Sequence, residues 1–471
     1  MTFEKLERIF MKTVAFHTLG CKVNTYETEA MQQLMEAAGY KCVDFGEKAD
    51  VYIINTCSVT NIADRKSRQM LHRARKMNED AIVVAAGCYV ESAKEKIDED
   101  LSIDIIVGNN NKNEIVNIIN EYLQDKNENR FIIDINKNTE YEEFNISKIN
   151  DHTRAFIKVQ DGCNQFCSYC IIPFTRGRVR SRKMENIIEE VKKLASSGYK
   201  EVVLTGIHLS SYGVDFLDES YNKRMELLTQ TEESDEEFVT KNELLNLIEN
   251  IAKVDGIERI RIGSLEPRII KEGFIKRLSE INKFCPHFHL SLQSGCDKTL
   301  KSMNRKYTAS EFYEGVELIR KYFDSPAITT DIIVGFPGES KEDFEESKSF
   351  VEKVKFYETH IFPYSVREGT KAAHMPQVDG NEKEKRANIL NEINLANQRE
   401  FRSQRIGRVD EVLCEETFTK DGKEYYTGYT KEYVKIAVLK DGLNTNDIIK
   451  GKVARFLTDD ILLMEKEQNN V

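Results

Sequence analysis

Apolar and polar positions follow a mixed pattern along the first ~120 residues. Short apolar runs predict strands at Lys12–His17, Asp50–Ile54 and Ala81–Ala86. Between them, helical periodicity predicts helices at Glu27–Ala38 and Ile62–Lys76. Strands that alternate with helices favour a parallel, doubly wound sheet.

A second series of strands and helices begins after residue 151. Its six apolar runs are separated by segments of helical length. These runs are Ala155–Val159, Glu201–Thr205, Arg259–Ile262, His287–Leu292, Ala327–Val334 and Tyr357–Pro363. Six such units within about 220 residues predict a barrel-like parallel sheet that is smaller than the eight-unit barrel.

The last ~65 residues change to short strand candidates separated by Asp-Gly and polar turns, which predicts a small antiparallel barrel. The predicted domains are residues 11–120, 152–380 and 403–467, joined by a polar linker at 121–151 and a helical connector at 381–402. An acidic insertion at 215–240 interrupts the central domain. The expected fold class is therefore α/β. It combines an N-terminal doubly wound parallel sheet, a central partial (β/α)6 barrel and a C-terminal small antiparallel β-barrel.

Composition narrows the function classes. Hydrophobic residues make up 40% and charged residues 31%, which is typical of a soluble globular protein. No apolar run reaches the ~20 residues of a membrane helix, and the N-terminus lacks a basic-then-apolar signal, so the expected location is the cytoplasm. Ten cysteines in such a chain favour metal binding or redox catalysis over disulfides.

Cys163, Cys167 and Cys170 are the strongest candidates for metal ligands. Their C-x3-C-x2-C spacing places three thiolates on one short loop, directly after the first strand of the second series. Three thiolates can hold three corners of a cubane [4Fe–4S] cluster and leave one iron open. Zinc is a competing interpretation, although structural zinc normally takes four ligands in two paired sets. The remaining interpretation is that these are three unrelated buried thiols.

Cys21, Cys57 and Cys88 form a second candidate set. Each follows a predicted parallel strand of the N-terminal sheet. Because ligands collect beyond the carboxyl ends of such strands, the three thiols would converge into another three-thiolate site. Separate, small buried side chains are the alternative interpretation.

The sequence around both sets resembles the radical S-adenosylmethionine (SAM) methylthiotransferase family. TLGCKVNTYETEAM, INTCSVTNIADRKSR and AAGCYVE are similar to the signatures of its N-terminal domain. QDGCNQFCSYCIIPFTRGRVRSR, SLQSGCDKTLKSMNRKYT and TDIIVGFPGESKEDF are similar to its radical SAM core, and the last domain resembles a TRAM domain, which binds RNA.

This resemblance implies two [4Fe–4S] clusters and SAM as cofactors. The cluster at Cys163, Cys167 and Cys170 would cleave SAM reductively to a radical, and an auxiliary cluster at Cys21, Cys57 and Cys88 would serve sulfur delivery. SAM is expected to contact residues at the carboxyl ends of barrel strands. These are Gly206, Ser264, Glu266 and Gln293. The resemblance also implies an electron donor and a sulfur donor, neither of which the sequence identifies.

Two local features indicate the substrate within this family, whose members methylthiolate a tRNA adenosine beside the anticodon or a ribosomal-protein aspartate. Thr205-Gly206-Ile207-His208 replaces a GQN-like turn, and Cys296 stands where many members have Ser. Both resemble the subfamily that methylthiolates C2 of N6-threonylcarbamoyladenosine at position 37. Isopentenyladenosine and the ribosomal aspartate are the alternatives. A non-catalytic iron–sulfur electron carrier or RNA-bound redox sensor is the alternative from a different class, but carriers usually ligate every iron.

The net charge of -11 and the pI of about 5.5 at first argue against a nucleic-acid partner. Residues 121–151, however, hold eight acidic and four basic residues, and residues 215–240 hold nine and two, so these two segments carry the whole excess. Two basic runs follow the predicted metal loops, where an RNA backbone would pass. The residues expected to contact the tRNA anticodon stem-loop are Arg65, Lys66, Arg68 and Arg73 in the first run and Arg176, Arg178, Arg180 and Arg182 in the second. A solvated surface is the alternative interpretation of either run.

Overall fold

The structure is a computed structural model that describes residues 12–93, 97–126, 129–137, 140–144, 153–216 and 235–466. The acidic insertion predicted at 215–240 lies mostly outside the described residues, as does part of the 121–151 linker. Among the described helices, none is long and apolar enough to cross a bilayer.

A six-stranded parallel sheet forms the N-terminal domain, in the order β2-β1-β3-β4-β5-β6. Its strands are β1 Thr13–Thr18, β2 Lys41–Val43, β3 Val51–Thr56, β4 Ile82–Gly87, β5 Ile105–Val107 and β6 Arg130–Phe131. The helices are Lys22–Ala37, Asn61–Met77, Cys88–Ala93 and Ile115–Gln124, with a 3-10 turn at Lys112–Glu114. Met31 and Ile118 pack on one face of the sheet, while Leu71 and Val90 pack on the other. The sheet is therefore doubly wound, as predicted.

The central domain contains six parallel strands in sequential order, which confirms the partial barrel. They are β7 Arg154–Asp161, β9 Glu201–Gly206, β10 Arg259–Ile262, β11 His287–Gln293, β12 Ala327–Val334 and β13 Glu358–Pro363, with β8 Arg180–Ser181 antiparallel to β7. The helices are Ile172–Thr175, Met184–Ser196, Asp235–Lys241, Glu243–Ala252, Glu272–Ser279, Asp297–Ser302, Ala309–Tyr322 and Lys341–Val354, and the 3-10 turns are Leu209–Ser211, Val214–Phe216, Pro267–Ile269 and Lys371–His374. Between β10 and β11 only isolated bridges connect the strands, including Leu265 with Leu290.

Side chains on β12 and β13 divide between two faces, as the pleat of a strand requires. Ile332 and Ile361 belong to the core under the surrounding helices. Asp331 pairs in register with His360, and Ile333 with Phe362, so these four side chains share the opposite, inward face. The lumen of the barrel is therefore partly polar and partly aromatic.

The C-terminal domain is a closed barrel in the order β14-β15-β16-β18-β17, in which every pair is antiparallel except β16 with β18, which is parallel. Its strands are β14 Val409–Lys420, β15 Lys423–Tyr429, β16 Lys435–Leu439, β17 Ile448–Phe456 and β18 Leu462–Lys466. The helix Gly380–Ser403 connects it to the central domain. The small barrel packs against the amino ends of the central strands, where Ala327 and Tyr357 join its core. The carboxyl ends of the central strands therefore stay available for the cysteine loop.

Candidate active site: two cysteine triads

The loop that carries Cys163, Cys167 and Cys170 leaves the carboxyl end of β7. At Gly162 the backbone has φ +71°, and a Cβ there would lie 1.8 Å from the Arg178 carbonyl oxygen, so only glycine fits. The Cys163 N–H donates to the Gly177 carbonyl at 3.0 Å, and the Cys170 N–H donates to the Cys167 carbonyl at 3.0 Å. These bonds hold the three thiols on one compact turn.

Arg305 fixes this loop to the neighbouring strand β11. Its Nη1 lies 3.3 Å from the Cys167 sulfur, and its Nη2 donates to the Ser291 carbonyl at 3.1 Å. Its Nε donates to the Tyr307 hydroxyl at 2.9 Å. Sequence reasoning missed Arg305, although it lies inside the motif SLQSGCDKTLKSMNRKYT, because a single arginine in a motif carries no signal of its partner.

The donor chemistry of this triad fits a cationic cluster. Burial raises the pKa of the Cys163 thiol to about 12, and the nearby Cys167 raises it further. Burial and the same neighbour raise the pKa of Cys170. As thiolates, these three groups would repel one another unless a cation compensated their charge, which the iron of a [4Fe–4S] cluster would do.

The second triad converges at the carboxyl ends of β1, β3 and β4. Gly20, with φ +102°, packs directly on Cys57, and a Cβ there would lie 2.9 Å from the Cys57 sulfur. Asn24 ties the two loops together, because its Nδ2 donates to the carbonyls of Leu19 at 2.6 Å and Thr56 at 3.0 Å.

The thiols of this triad also interact electrostatically with one another. Burial raises the pKa of Cys57 to about 12, and the neighbouring Cys88 adds to the shift. Desolvation by the surrounding protein raises the pKa of the Cys21 thiol, although this residue reaches the surface, and the positive charge of Arg176 opposes that shift. Cys57 and Cys88 are buried and Cys21 is exposed, so the triad opens toward solvent on one side. This donor set also fits a cluster with one open iron.

Two side chains connect the triads. Asn109 Nδ2 lies 3.7 Å from the Cys88 sulfur and donates to the Thr175 carbonyl at 2.8 Å, five residues after Cys170. Arg176 follows Thr175 and reaches into the N-terminal domain, where it donates to Asn24 Oδ1 at 2.6 Å.

Arg176 is the centre of a buried charge network, and the prediction that it contacts RNA is wrong. It has no exposed surface and pairs with Glu27 at 2.9 Å and Asp161 at 3.1 Å. Lys158 binds the same two carboxylates, at 2.8 and 2.6 Å, and Lys112 also binds Glu27. The network stabilises the junction between the two domains.

Arg180 and Arg182 are buried as well, which corrects their predicted RNA contacts. Arg180 donates to the Arg176 carbonyl at 2.9 Å, and Arg182 pairs with Glu190 at 2.6 Å. Arg178 is partly exposed and lies over the Phe166 ring, 4.4 Å from its centroid. This second basic run therefore serves mainly as interior ion pairs.

The first basic run remains at the surface. Arg65, Lys66, Arg68 and Arg73 are exposed on the helix Asn61–Met77, which begins four residues after Cys57. Arg68 also lies over the Tyr89 ring, and Arg73 over Phe45.

The residues expected to contact SAM lie at one rim of the barrel. Gly206 ends β9, Ser264 and Glu266 follow β10, and Gln293 ends β11 in a left-handed conformation with φ +70°. The Glu266 carboxylate accepts bonds from Arg268 at 3.0 and 3.2 Å, and its N–H donates to Ser210 Oγ. All four positions are at the end of the barrel where the Cys163–Cys170 loop leaves β7.

Gln160 and His208 add to this rim and were not singled out from sequence as contacts. Gln160 Nε2 donates to the carbonyls of Asp161 and Gly162, while its Oε1 accepts from the His208 N–H at 2.8 Å. Burial lowers the pKa of His208 to about 4, so its imidazole is neutral at physiological pH.

Two family models match the chain. The Radical SAM superfamily model matches residues 157–351, and the model described as Uncharacterized protein family UPF0004 matches residues 13–108. These ranges coincide with the domains that carry the two triads.

Curated relatives cover nearly the whole chain. The threonylcarbamoyladenosine tRNA methylthiotransferase MtaB of Bacillus subtilis (strain 168) is 41% identical over 447 residues, which are 94% of this chain and 93% of the relative. The protein of the same name from Aquifex aeolicus (strain VF5) is 39% identical over 84% of this chain and 91% of its own length. A tRNA-2-methylthio-N(6)-dimethylallyladenosine synthase from Thermoanaerobacter sp. (strain X514) is 38% identical over 88% of this chain and 84% of its own length.

Among solved structures, the fold is similar to that of TsrM from Kitasatospora setae, a radical S-adenosylmethionine methyltransferase with cobalamin and a [4Fe-4S] cluster bound. The TM-score is 0.52 at 14% identity, covering 77% of each chain. At this identity the likeness concerns the fold alone.

Proposed function

This chain belongs to the radical SAM methylthiotransferase family, and on that premise we propose that it methylthiolates C2 of N6-threonylcarbamoyladenosine at position 37 of tRNA. Two relatives named for this substrate span more than four fifths of the chain. The Thr205-Gly206-Ile207-His208 turn and Cys296 agree with that subfamily.

The observation that carries the proposal is the shared junction of the two triads. Asn109 bridges the Cys88 sulfur and the Thr175 carbonyl, and Arg176 links the segment after Cys170 to Asn24 beside Cys21. An electron carrier has no need for two three-thiol sites that are linked across a domain junction. A reaction that activates a carbon at one site and adds sulfur from the other does need that arrangement.

The cluster that cleaves SAM would be held by Cys163, Cys167 and Cys170. The auxiliary cluster would be held by Cys21, Cys57 and Cys88. When bound, these groups supply the radical that opens a strong C–H bond, the sulfur and the methyl group, none of which side chains can supply. The protein's own side chains would orient these groups and shield them from water. Arg305 donates to the Cys167 sulfur and places a positive charge beside the thiolates.

The rim residues would position SAM. Gly206 leaves room beside Gln160, because a Cβ at Gly206 would lie 2.9 Å from the Gln160 Oε1. Gln160 in turn holds the turn at His208. The neutral imidazole of His208 would add no positive charge to a rim that holds the cationic SAM.

Mass spectrometry of tRNA nucleosides from cells that lack the gene tests the proposal. We expect the methylthio group to be missing from threonylcarbamoyladenosine and to return with the wild-type gene. Loss of the group from isopentenyladenosine instead would assign the substrate of the other tRNA relatives. An unchanged set of modified nucleosides would overturn the tRNA proposal.

The two triads can be separated with purified, anaerobically reconstituted protein. Cys163→Ala should abolish reductive cleavage of SAM. Cys57→Ala should retain that cleavage but form no methylthiolated product. If Cys57→Ala still formed the product at the wild-type rate, the auxiliary role of that triad would be wrong.

A further inference from the structure

A direct contact joins the loop after Cys57 to the segment after β13. The Asn61 N–H donates to Ser365 Oγ at 3.0 Å. Arg367 donates to Asn61, Ser58 and Asp64 at 2.8 to 2.9 Å. The segment after β13 and the beginning of the basic helix therefore lie side by side where the N-terminal and central domains meet. We name this edge of the domain junction the mouth.

Large apolar side chains are exposed on the mouth. Val59 and Ile62 are 52% and 58% exposed, and Phe362 and Val366 are 45% and 37% exposed. Soluble proteins expose single apolar side chains everywhere, but four on segments held together by the same hydrogen bonds form a patch, and patches of this kind mark binding sites.

Phe362 belongs to the inner surface of the barrel. It pairs in register with Ile333, which packs on the same small core around Phe336 as Tyr169 of the Cys163–Cys170 loop. Two residues earlier, the exposed His360 stacks on His289 at 5.6 Å between ring centroids. The ring of Phe362 therefore lies on the sheet face that looks toward the radical triad, at the outer end of an aromatic lining.

The positive charge beside the mouth indicates what kind of molecule binds there. The helix that starts at Asn61 carries the exposed Arg65 and Lys66, and in the described part of the chain no ion pair neutralises either of them. A polyanion is therefore favoured beside the apolar patch. Single-stranded RNA satisfies both demands, because its phosphates pair with basic side chains and its unstacked bases lie on aromatic rings.

We propose that the mouth binds a single-stranded RNA loop and that Phe362 stacks on the adenine splayed into the barrel. This rests on the proposed tRNA substrate. Arg65 and Lys66 hold the backbone outside while the base passes Val59 and Val366. A base inside a stacked loop is out of reach of both triads, so a ring that accepts the extruded base is what the reaction requires.

The test uses an anticodon stem-loop RNA with 2-aminopurine at the target position and the full-length, cluster-reconstituted protein. The fluorescence lifetime of 2-aminopurine reports the stacking partner of that base. With wild-type protein we expect a bound lifetime that differs from that of the free RNA. Phe362→Ala should lengthen it severalfold, and Phe362→Tyr should restore the wild-type value.

Leu123→Ala is the control, because Leu123 is 43% exposed, a fraction similar to that of Phe362, but lies on the helix Ile115–Gln124 of the N-terminal domain. We expect it to keep the wild-type lifetime. Equal lifetimes for wild type and Phe362→Ala, with RNA still bound, would overturn the stacking role and leave the proposed substrate intact. Failure of the wild-type protein to bind the RNA would count against the proposed function itself.

The basic residues beside the mouth are tested with a double variant and a control of equal charge change. The double variant Arg65→Glu with Lys66→Glu should weaken RNA binding at least tenfold and flatten its salt dependence. Lys192→Glu with Lys193→Glu makes the same charge change at two exposed lysines of the helix Met184–Ser196. If both pairs weakened binding equally, net charge would explain the effect, and the mouth would not be the RNA site.

Discussion

Burial determines the role of each arginine in the 176–183 segment. From sequence alone, the segment is a basic run beside a metal loop, which indicates RNA contacts. The structure instead pairs Arg176 with Glu27, 149 residues away, and Arg182 with Glu190. No local pattern reveals the partner of Arg176, because the Glu27 carboxylate comes from another domain. A basic run therefore predicts charge, and only the fold shows whether that charge faces solvent.

Arg176→Met tests this structural role. Removing one cation from a buried network costs about 3–5 kcal/mol, because the carboxylates lose a partner that they had inside the protein. We expect a clearly lower thermal midpoint and less iron at the auxiliary triad, measured anaerobically. Lys183→Met, at an exposed position of the same run, should change neither. Reduced RNA affinity with unchanged stability in Arg176→Met would restore the RNA role.

Arg305→Gln tests the contact with the radical triad. The guanidinium stabilises the added negative charge of a reduced cluster, so its loss should make the reduction potential more negative. The shift should be on the order of tens of millivolts, since a one-electron shift of 59 mV is tenfold in the equilibrium constant. Potentiometric titration followed by EPR measures it. Arg320→Gln, at a surface pair with Glu317, is the control and should leave the potential unchanged.

At the scale of elements, the positions of the strands could be predicted from the sequence, but the long-range contacts between elements could not. The barrel strands agree with prediction to within a few residues, because buried parallel strands are continuous apolar runs. The short strands Lys41–Val43 and Ile105–Val107 were missed, since three residues carry little periodicity. The places of Cys21, Cys57, Cys88 and Cys163 just beyond strand ends could be predicted, because each follows an apolar run that forms a strand. The contacts of Arg367 with Asn61 and Asp64 could not be predicted, because these partners are more than 300 residues away.

Arg367→Leu should loosen these contacts. Arg367 is almost fully buried and pairs with Asp64 at 2.8 Å, so its loss should cost about 3 kcal/mol locally. We expect faster amide hydrogen exchange in the helix Asn61–Met77 and in the loop after Cys57. Arg408→Leu breaks a much more exposed pair with Asp324 and should cost less than about 1 kcal/mol. Equal exchange in wild type and Arg367→Leu would mean that the other contacts suffice to hold the mouth.

On the scale of the whole molecule, the two ends of the central barrel have different tasks. The carboxyl ends of its strands carry the cysteine loop and the mouth, while the amino ends hold the small C-terminal barrel. The connecting helix Gly380–Ser403 has 24 residues and so spans about 36 Å, enough to pass from one end of the barrel to the other. An RNA that touches both the mouth and the small barrel must therefore lie along the outside of the central domain.

The attachment of the small barrel depends on buried arginines at the amino ends of the strands. Arg259 is fully buried, donates to the Glu411 carboxylate and carbonyl at 2.9 Å, and donates to the Tyr429 carbonyl at 2.8 Å. Arg261 binds Glu201 from β9 at 2.9 Å and reaches the Thr430 and Lys431 carbonyls. These contacts join the two domains through charge-assisted bonds shielded from water, which makes them strong.

Arg259→Ala should therefore release the small barrel without unfolding it, because that barrel has its own closed sheet and core. The variant removes the bonds to the Glu411 carboxylate and the Tyr429 carbonyl at the interface. It also leaves the buried Glu201 of the central domain with one cation fewer, a loss of about 3–5 kcal/mol. We expect a larger radius of gyration in small-angle scattering and new proteolytic cleavage near Arg405. Lys450→Ala, at an exposed position of β17, should show the wild-type radius and no new cleavage. An unchanged radius in Arg259→Ala would mean that apolar contacts around Ala327 and Tyr357 are enough to hold the two domains together.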